Sequence, residues 1–122
     1  MKKLFIFIFL LIYSNNLFAD YSNFYFGHCT YYVAKNTFVN WGGNAKDWIN
    51  NATDRNIYNS PIVGGVVVFD WVNYSEYWHV GIVENIINDN FFIISEMNYK
   101  RLNQITYRII NVDDINIKGF IF

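Results

Sequence analysis

Three side chains able to take part in acyl chemistry stand far apart in this sequence. The single cysteine, Cys29, lies in Gly27-His28-Cys29-Thr30-Tyr31-Tyr32-Val33. His79 opens the apolar run His79-Val80-Gly81-Ile82-Val83, and Glu96 closes Ile94-Ser95-Glu96. A lone thiol cannot close an intrachain disulfide, so chemistry is a better use for it than stapling. Thiol, imidazole and carboxylate are the components of a cysteine hydrolase: a nucleophile, a base and a group that orients the base. Each also has an ordinary explanation. A single cysteine is commonly a small inert hydrophobe, a strand histidine is commonly structural, and strand ends carry solvated carboxylates. The three together, in a chain with only two histidines, favour chemistry. The other histidine, His28, is the immediate neighbour of Cys29. At a helix start it points elsewhere, which makes it a poor base for that thiol.

The elements that must position these groups follow from local pattern. Thr30 to Asn36 reads as a short helix with Val33 and Ala34 inward, so Cys29 falls at its start. There the free N–H groups and the partial positive charge of the helix favour a thiolate and can hold an oxyanion. Asn44 to Asn50 reads as a second helix, with Ala45, Trp48 and Ile49 at i, i+3 and i+4 and Asn44 as its N-cap. After Pro61 the character changes to short apolar runs: Val66 to Phe69, His79 to Ile87, Phe91 to Glu96, Ile105 to Ile110 and Lys118 to Phe122. Asn88-Asp89-Asn90 is a hairpin turn signal. A hairpin through that turn brings Glu96 toward His79, with Gly81 leaving room beside the imidazole and Ile94, Glu96 and Asn98 sharing a face. Two helices followed by antiparallel strands make an α+β domain.

The amino terminus is expected to lie outside that domain. Lys2-Lys3, an unbroken apolar stretch from Leu4 to Tyr13, and Leu17-Phe18-Ala19 before Asp20 form a secretory signal pattern over residues 1–19. The apolar stretch is short against the roughly 20 residues a membrane span needs. A lipoprotein anchor at Cys29 is excluded by the bulky His28 before it and by the early end of the apolar run. The mature chain would be residues 20–122, one domain, exported to the periplasm or the medium, with no stable membrane anchor. Loss of Lys2 and Lys3 turns the formal net charge from −1 to −3. No basic stripe is present, so nucleic acid is not an expected partner. Aromatic residues make up 21% of the chain, enough to pack a core and also line a groove.

Five ordered segments together resemble the CHAP domain, the cysteine/histidine-dependent amidohydrolase/peptidase family of bacterial cell-wall hydrolases. They are Gly27-His28-Cys29-Thr30-Tyr31-Tyr32-Val33-Ala34, Trp41-Gly42-Gly43-Asn44-Ala45 with Trp48, Pro61 to Phe69, His79-Val80-Gly81-Ile82-Val83-Glu84, and Ile94-Ser95-Glu96-Met97-Asn98-Tyr99. The resemblance implies a papain-like α+β fold with the nucleophile on a helix packed against an antiparallel sheet. It implies Cys29 as nucleophile, His79 as general base, Glu96 as the residue orienting the histidine, and Asn98 as an auxiliary polar member. The implied substrate is the peptide part of peptidoglycan, cut by an endopeptidase or N-acetylmuramoyl-L-alanine amidase, with Trp41, Trp71, Trp78 and Tyr99 as candidates to line the groove. His28 stands where the family often has glutamine. Some members bind calcium through aspartates just before the nucleophile, and Tyr21 to Phe26 contains none, so no metal and no cofactor are expected. The expected state is a monomer. A secreted antibacterial toxin using the same chemistry, or a non-catalytic wall-interaction module of the same fold, are the alternatives; retention of Cys29, His79 and Glu96 argues against the latter.

Overall fold

A computed structural model of the chain describes residues 21–70 and 75–122. The signal-like segment and Trp71 lie outside the described residues. Among the described residues the fold is α+β, with a six-stranded antiparallel sheet and a few short helices. Helix α1 spans Cys29–Asn36 and α2 spans Trp48–Asn51, the latter continuing a 3-10 turn at Ala45–Asp47. The strands are β1 (Ile57–Tyr58), β2 (Val66–Phe69), β3 (His79–Ile86), β4 (Phe91–Met97), β5 (Ile105–Asn111) and β6 (Ile117–Ile121). Their order across the sheet is β1-β6-β2-β3-β4-β5. The second helix is thus shorter and tighter than its i, i+3, i+4 pattern predicts. Asn44 is the N-cap, and Asp47 Oδ2 accepts the Asn44 N–H at 3.1 Å. Among the described residues no helix is long and apolar enough to cross a membrane.

β2 explains the build of the core. It lies between β6 and β3, and all four of its residues are buried. Both of its faces are covered, so it reads as a continuous apolar run and not as an alternation. Val66 and Val68 join Val33, Ala34, Trp48, Val80 and Ile82 in the cluster packed on α1 and α2. Val67 and Phe69 join Val83, Phe92, Ile94, Ile110 and Phe120 in a second cluster.

The β3–β4 hairpin turns through Asn88-Asp89-Asn90 as expected. The Asn88 side-chain oxygen accepts the N–H groups of Asn90 and Phe91 at 2.8 and 3.0 Å, the Asx-turn role that suits asparagine here. Its register holds one irregularity. Ile82 pairs with Ser95 and Val83 with Ile94, but Asn85 pairs with Ile93. The extra residue, Glu84, forms a bulge and absorbs the unequal lengths of the hairpin arms. Gly81 is needed at the paired end: an added Cβ would lie 3.1 Å from both the Ser95 carbonyl oxygen and the Ile94 Cδ1. The room beside the imidazole is therefore used by the neighbouring strand.

Candidate functional site

Cys29 is the first residue of α1. His28, at the N-cap, is extended, and the first backbone bond of the helix runs from Tyr32 N–H to His28 O at 3.2 Å. The N–H groups of Cys29, Thr30 and Tyr31 are left over by helix geometry. Gly27 sets the approach. Its φ of 84° lies in the left-handed region, and a Cβ there would meet Asn103 N at 3.1 Å. Its carbonyl accepts the Asn103 N–H at 2.9 Å, which ties the helix start to the β4–β5 loop.

His79 is the first residue of β3, opposite Phe69 of β2. Trp78, just before it, has φ 69°, a left-handed conformation that costs a non-glycine residue on the order of 1 kcal/mol. The imidazole is buried, hydrogen-bonded to Glu96 and close enough to the Cys29 side chain for the thiol to shift the charge balance of the ring. Its Nε2 lies 2.8 Å from Glu96 Oε1, which leaves Nδ1 for the thiol. Burial alone pushes the imidazole toward neutrality. The interactions with Cys29 and Glu96 and the charges of those groups outweigh it, and raise the pKa from 6.5 to about 9. The imidazole is therefore protonated at neutral pH.

Glu96 is fully buried in β4. Arg108 of β5 grips it through two bonds, Nε to Oε2 at 2.6 Å and Nη2 to Oε1 at 2.9 Å, and the Thr106 hydroxyl donates to Oε2 at 3.2 Å. Burial favours the neutral acid, but the bonds from His79 and Arg108 prevail and hold the carboxyl below its ordinary range. Tyr99, past the end of β4, lies 5.9 Å from the imidazole between ring centroids, and the Arg108 guanidinium stacks 3.7 Å above the Tyr99 ring.

The sequence-expected thiol, imidazole and carboxylate are thus brought together, His79 bonded to Glu96 and coupled electrostatically to Cys29. The other expected residues are placed variously. Asn98 is half-buried just past β4 with φ 61°, and its N–H donates to Gln104 O at 3.1 Å. The extended alternation that would carry it on the Glu96 face stops at Met97. Beside Cys29 lies a cavity of about 500 Å³ lined by Tyr25, His28, Asn44, Tyr77 and Trp78 among others. Trp78 is there as expected. Trp41 is not: it is buried in the core, edge-on to Trp48 at 5.6 Å and near Phe38 at 6.2 Å. Its place among the small residues Gly42-Gly43 suggests a loop aromatic, but packing on the helices claims it. Tyr99 contacts the imidazole and Arg108 and does not line this cavity. A larger cavity of about 580 Å³ lies farther along α1, by Asn36 to Phe38 and Val63-Gly64, away from the thiol.

Arg108 and Thr106 escape a motif-led reading. The signal that finds them is strand parity: Thr106, Arg108 and Ile110 alternate with the exposed Ile105, Tyr107 and Ile109. An arginine at inward parity calls for a buried carboxylate.

Comparison with known proteins gives a consistent picture. The CHAP domain family profile matches residues 19–98. The N-acetylmuramoyl-L-alanine amidase sle1 of Staphylococcus aureus (strain USA300) is 34% identical over 114 aligned positions, which span 85% of this chain and 33% of the relative. A crystal structure of an N-acetylmuramoyl-L-alanine amidase from Staphylococcus aureus superposes with TM-score 0.66 at 30% identity, covering 79% of this chain and 30% of that one. The crystal structure of Ly7917 shares the fold, with TM-score 0.55 at 18% identity over 78% of this chain and 52% of that one. The chain spans about a third of the length of the staphylococcal relatives it matches.

Proposed function

The chain belongs to the CHAP domain family, and from that premise we propose that it is an exported cysteine amidase acting on peptidoglycan. The observation that carries this reading is the continuous series from Cys29 through His79 to the buried Glu96. It is the papain-like arrangement of nucleophile on helix and base on sheet.

In the proposed reaction the Cys29 sulfur attacks the carbonyl carbon of an amide lying in the cavity beside it. The oxygen gains negative charge and is met by the free N–H groups at the start of α1. His79 delivers its Nδ1 proton to the leaving nitrogen as the C–N bond breaks, and an acyl-thioester remains on Cys29. Water then attacks the thioester carbonyl while His79 takes its proton, and the thiolate departs. Glu96 keeps Nε2 hydrogen-bonded throughout, so the ring cannot turn away. Asn98, two residues beyond Glu96, is kept in this reading as an auxiliary polar member.

The staphylococcal relatives carry the name N-acetylmuramoyl-L-alanine amidase. That name points to the bond between the lactyl group of the sugar and the first alanine of the stem peptide. Aromatic rings of Tyr25, Tyr77 and Trp78 in the cavity suit a sugar face on one side of that bond. The test is digestion of purified peptidoglycan with mass spectrometry of the fragments. New amino-terminal alanine is expected with wild type and with His28→Gln, whose exposed ring packs near Tyr25, and none with Cys29→Ser or His79→Ala. Cleavage within the peptide would replace the amidase by an endopeptidase; an active Cys29→Ser protein would overturn the reading. Export is checked by intact mass, which should begin at Asp20; a full-length product would refute it.

A further inference from the structure

β5 is an edge strand, yet it supplies three of the four hydrogen bonds to the Glu96 carboxylate. We propose that Arg108 is a positioning residue of the site, fixing the plane of the Glu96 carboxylate so that Oε1 faces His79 Nε2. This rests on the role of Cys29 and His79 given above.

The geometry supports it in three ways. First, the carboxylate is fully buried and could turn about its last bond if His79 were its one partner. The guanidinium fork takes one bond to each oxygen, which fixes the plane as a single ammonium cannot. Second, the charge of Arg108 is permanent. When His79 has given up its proton and is neutral, Glu96 would otherwise be a buried, uncompensated anion and would tend to protonate. A protonated Glu96 could no longer stabilise the imidazolium when it re-forms. Third, Arg108 is itself held. Its guanidinium lies 3.7 Å from the centroid of Tyr99 and 5.5 Å from that of Phe69, the two rings that also flank the imidazole at 5.9 and 6.2 Å. The groups facing the pair are Cys29 from α1, His79 from β3, Tyr99 beyond β4, and Thr106 and Arg108 from β5.

The test is a double-mutant cycle read by two rates on the intact protein in the cold: iodoacetamide alkylation of Cys29, which needs no substrate, and peptidoglycan turnover. Arg108→Gln should lower both by about tenfold or more with KM little changed, and should cost no more than about twofold when Glu96 is already Gln, because a residue acting through another is silent once that other is gone. Arg108→Lys, which keeps the charge and packs more conservatively, should fall between wild type and Arg108→Gln, and covers the case in which Arg108→Gln does not fold. Wild-type rates in either folded variant, or an equal loss in both backgrounds, would overturn the proposal. Cys29→Ser, run in parallel on peptidoglycan, separates the outcomes: its activity would refute the proposed function, whereas its inactivity beside fully active Arg108 variants would refute this role alone.

Discussion

Replacing Glu96 by glutamine tests how the site and the fold share one carboxylate. Four donors converge on it: His79 Nε2, Arg108 Nε and Nη2, and the Thr106 hydroxyl. An amide offers one oxygen and one NH₂. With the NH₂ toward Arg108 Nε the fork loses one bond; with it toward His79, the amide meets both the imidazolium and Nη2. Thr106 can rotate to accept, but Arg108 cannot, so every orientation leaves donors opposed in a buried place. Removing one partner from a buried, hydrogen-bonded charge pair costs about 3 kcal/mol or more. For a domain of this size 1 kcal/mol moves Tm by about 4–8 °C, so Glu96→Gln should melt roughly 12–24 °C below wild type. The assay is thermal unfolding followed by circular dichroism, with peptidoglycan turnover measured well below the lower Tm. Turnover should fall, but less than in His79→Ala, because the amide oxygen can still hold one orientation of the ring. A Tm within about 3 °C of wild type would refute the reasoning, since the four-donor site would then be energetically idle.

Two further outcomes follow from the same geometry. The His79 pKa is raised to about 9, so its contribution to stability is fully present below about pH 6.5 and is lost as pH rises through about 9; Glu96, held below its ordinary value, contributes above about pH 4.5 and loses that contribution as pH falls. Tm measured against pH should therefore be highest between roughly pH 5 and 6.5 and decline toward both sides, and the alkaline decline should flatten in His79→Ala; an unchanged alkaline slope in that variant would show that the imidazole is not its source. Gly81→Ala should destabilise the protein by about 1–3 kcal/mol, the usual cost of overpacking, because one of the two atoms at 3.1 Å is the Ser95 backbone oxygen and cannot move without displacing Glu96 beside it. Chemical unfolding would measure this, and wild-type stability would contradict it.

Much of this arrangement was legible in sequence because it depends on local chemistry. The turn asparagines, the β-branched run of β2 and Gly27 before Cys29 each specify their own conformation. The approach of Glu96 to His79 follows once the hairpin closes. What was not legible depends on long-range packing. The short β1 has two exposed residues and pairs with β6 at the far end of the chain. Nothing in Asn56 to Tyr58 announces that pairing. Trp41 was drawn into the core by Phe38 and Trp48, which a glycine-rich neighbourhood does not reveal. The left-handed conformations of Trp78 and Asn98 run against residue preference at Trp78 and cut short the strand alternation at Asn98. Arg108 stood in plain view on an alternating strand, but its partner is recognised only when β4 and β5 are paired.

The pairing of Cys29 with His79 is tested most directly by the rate of Cys29 alkylation with iodoacetamide at neutral pH, compared between wild type and His79→Ala. A neighbouring imidazolium makes a cysteine more nucleophilic, and His79 is the imidazole coupled to Cys29, so wild type should react rapidly and His79→Ala should be slower by about tenfold or more. Equal rates in the two folded proteins would contradict a functional thiol–imidazole pair.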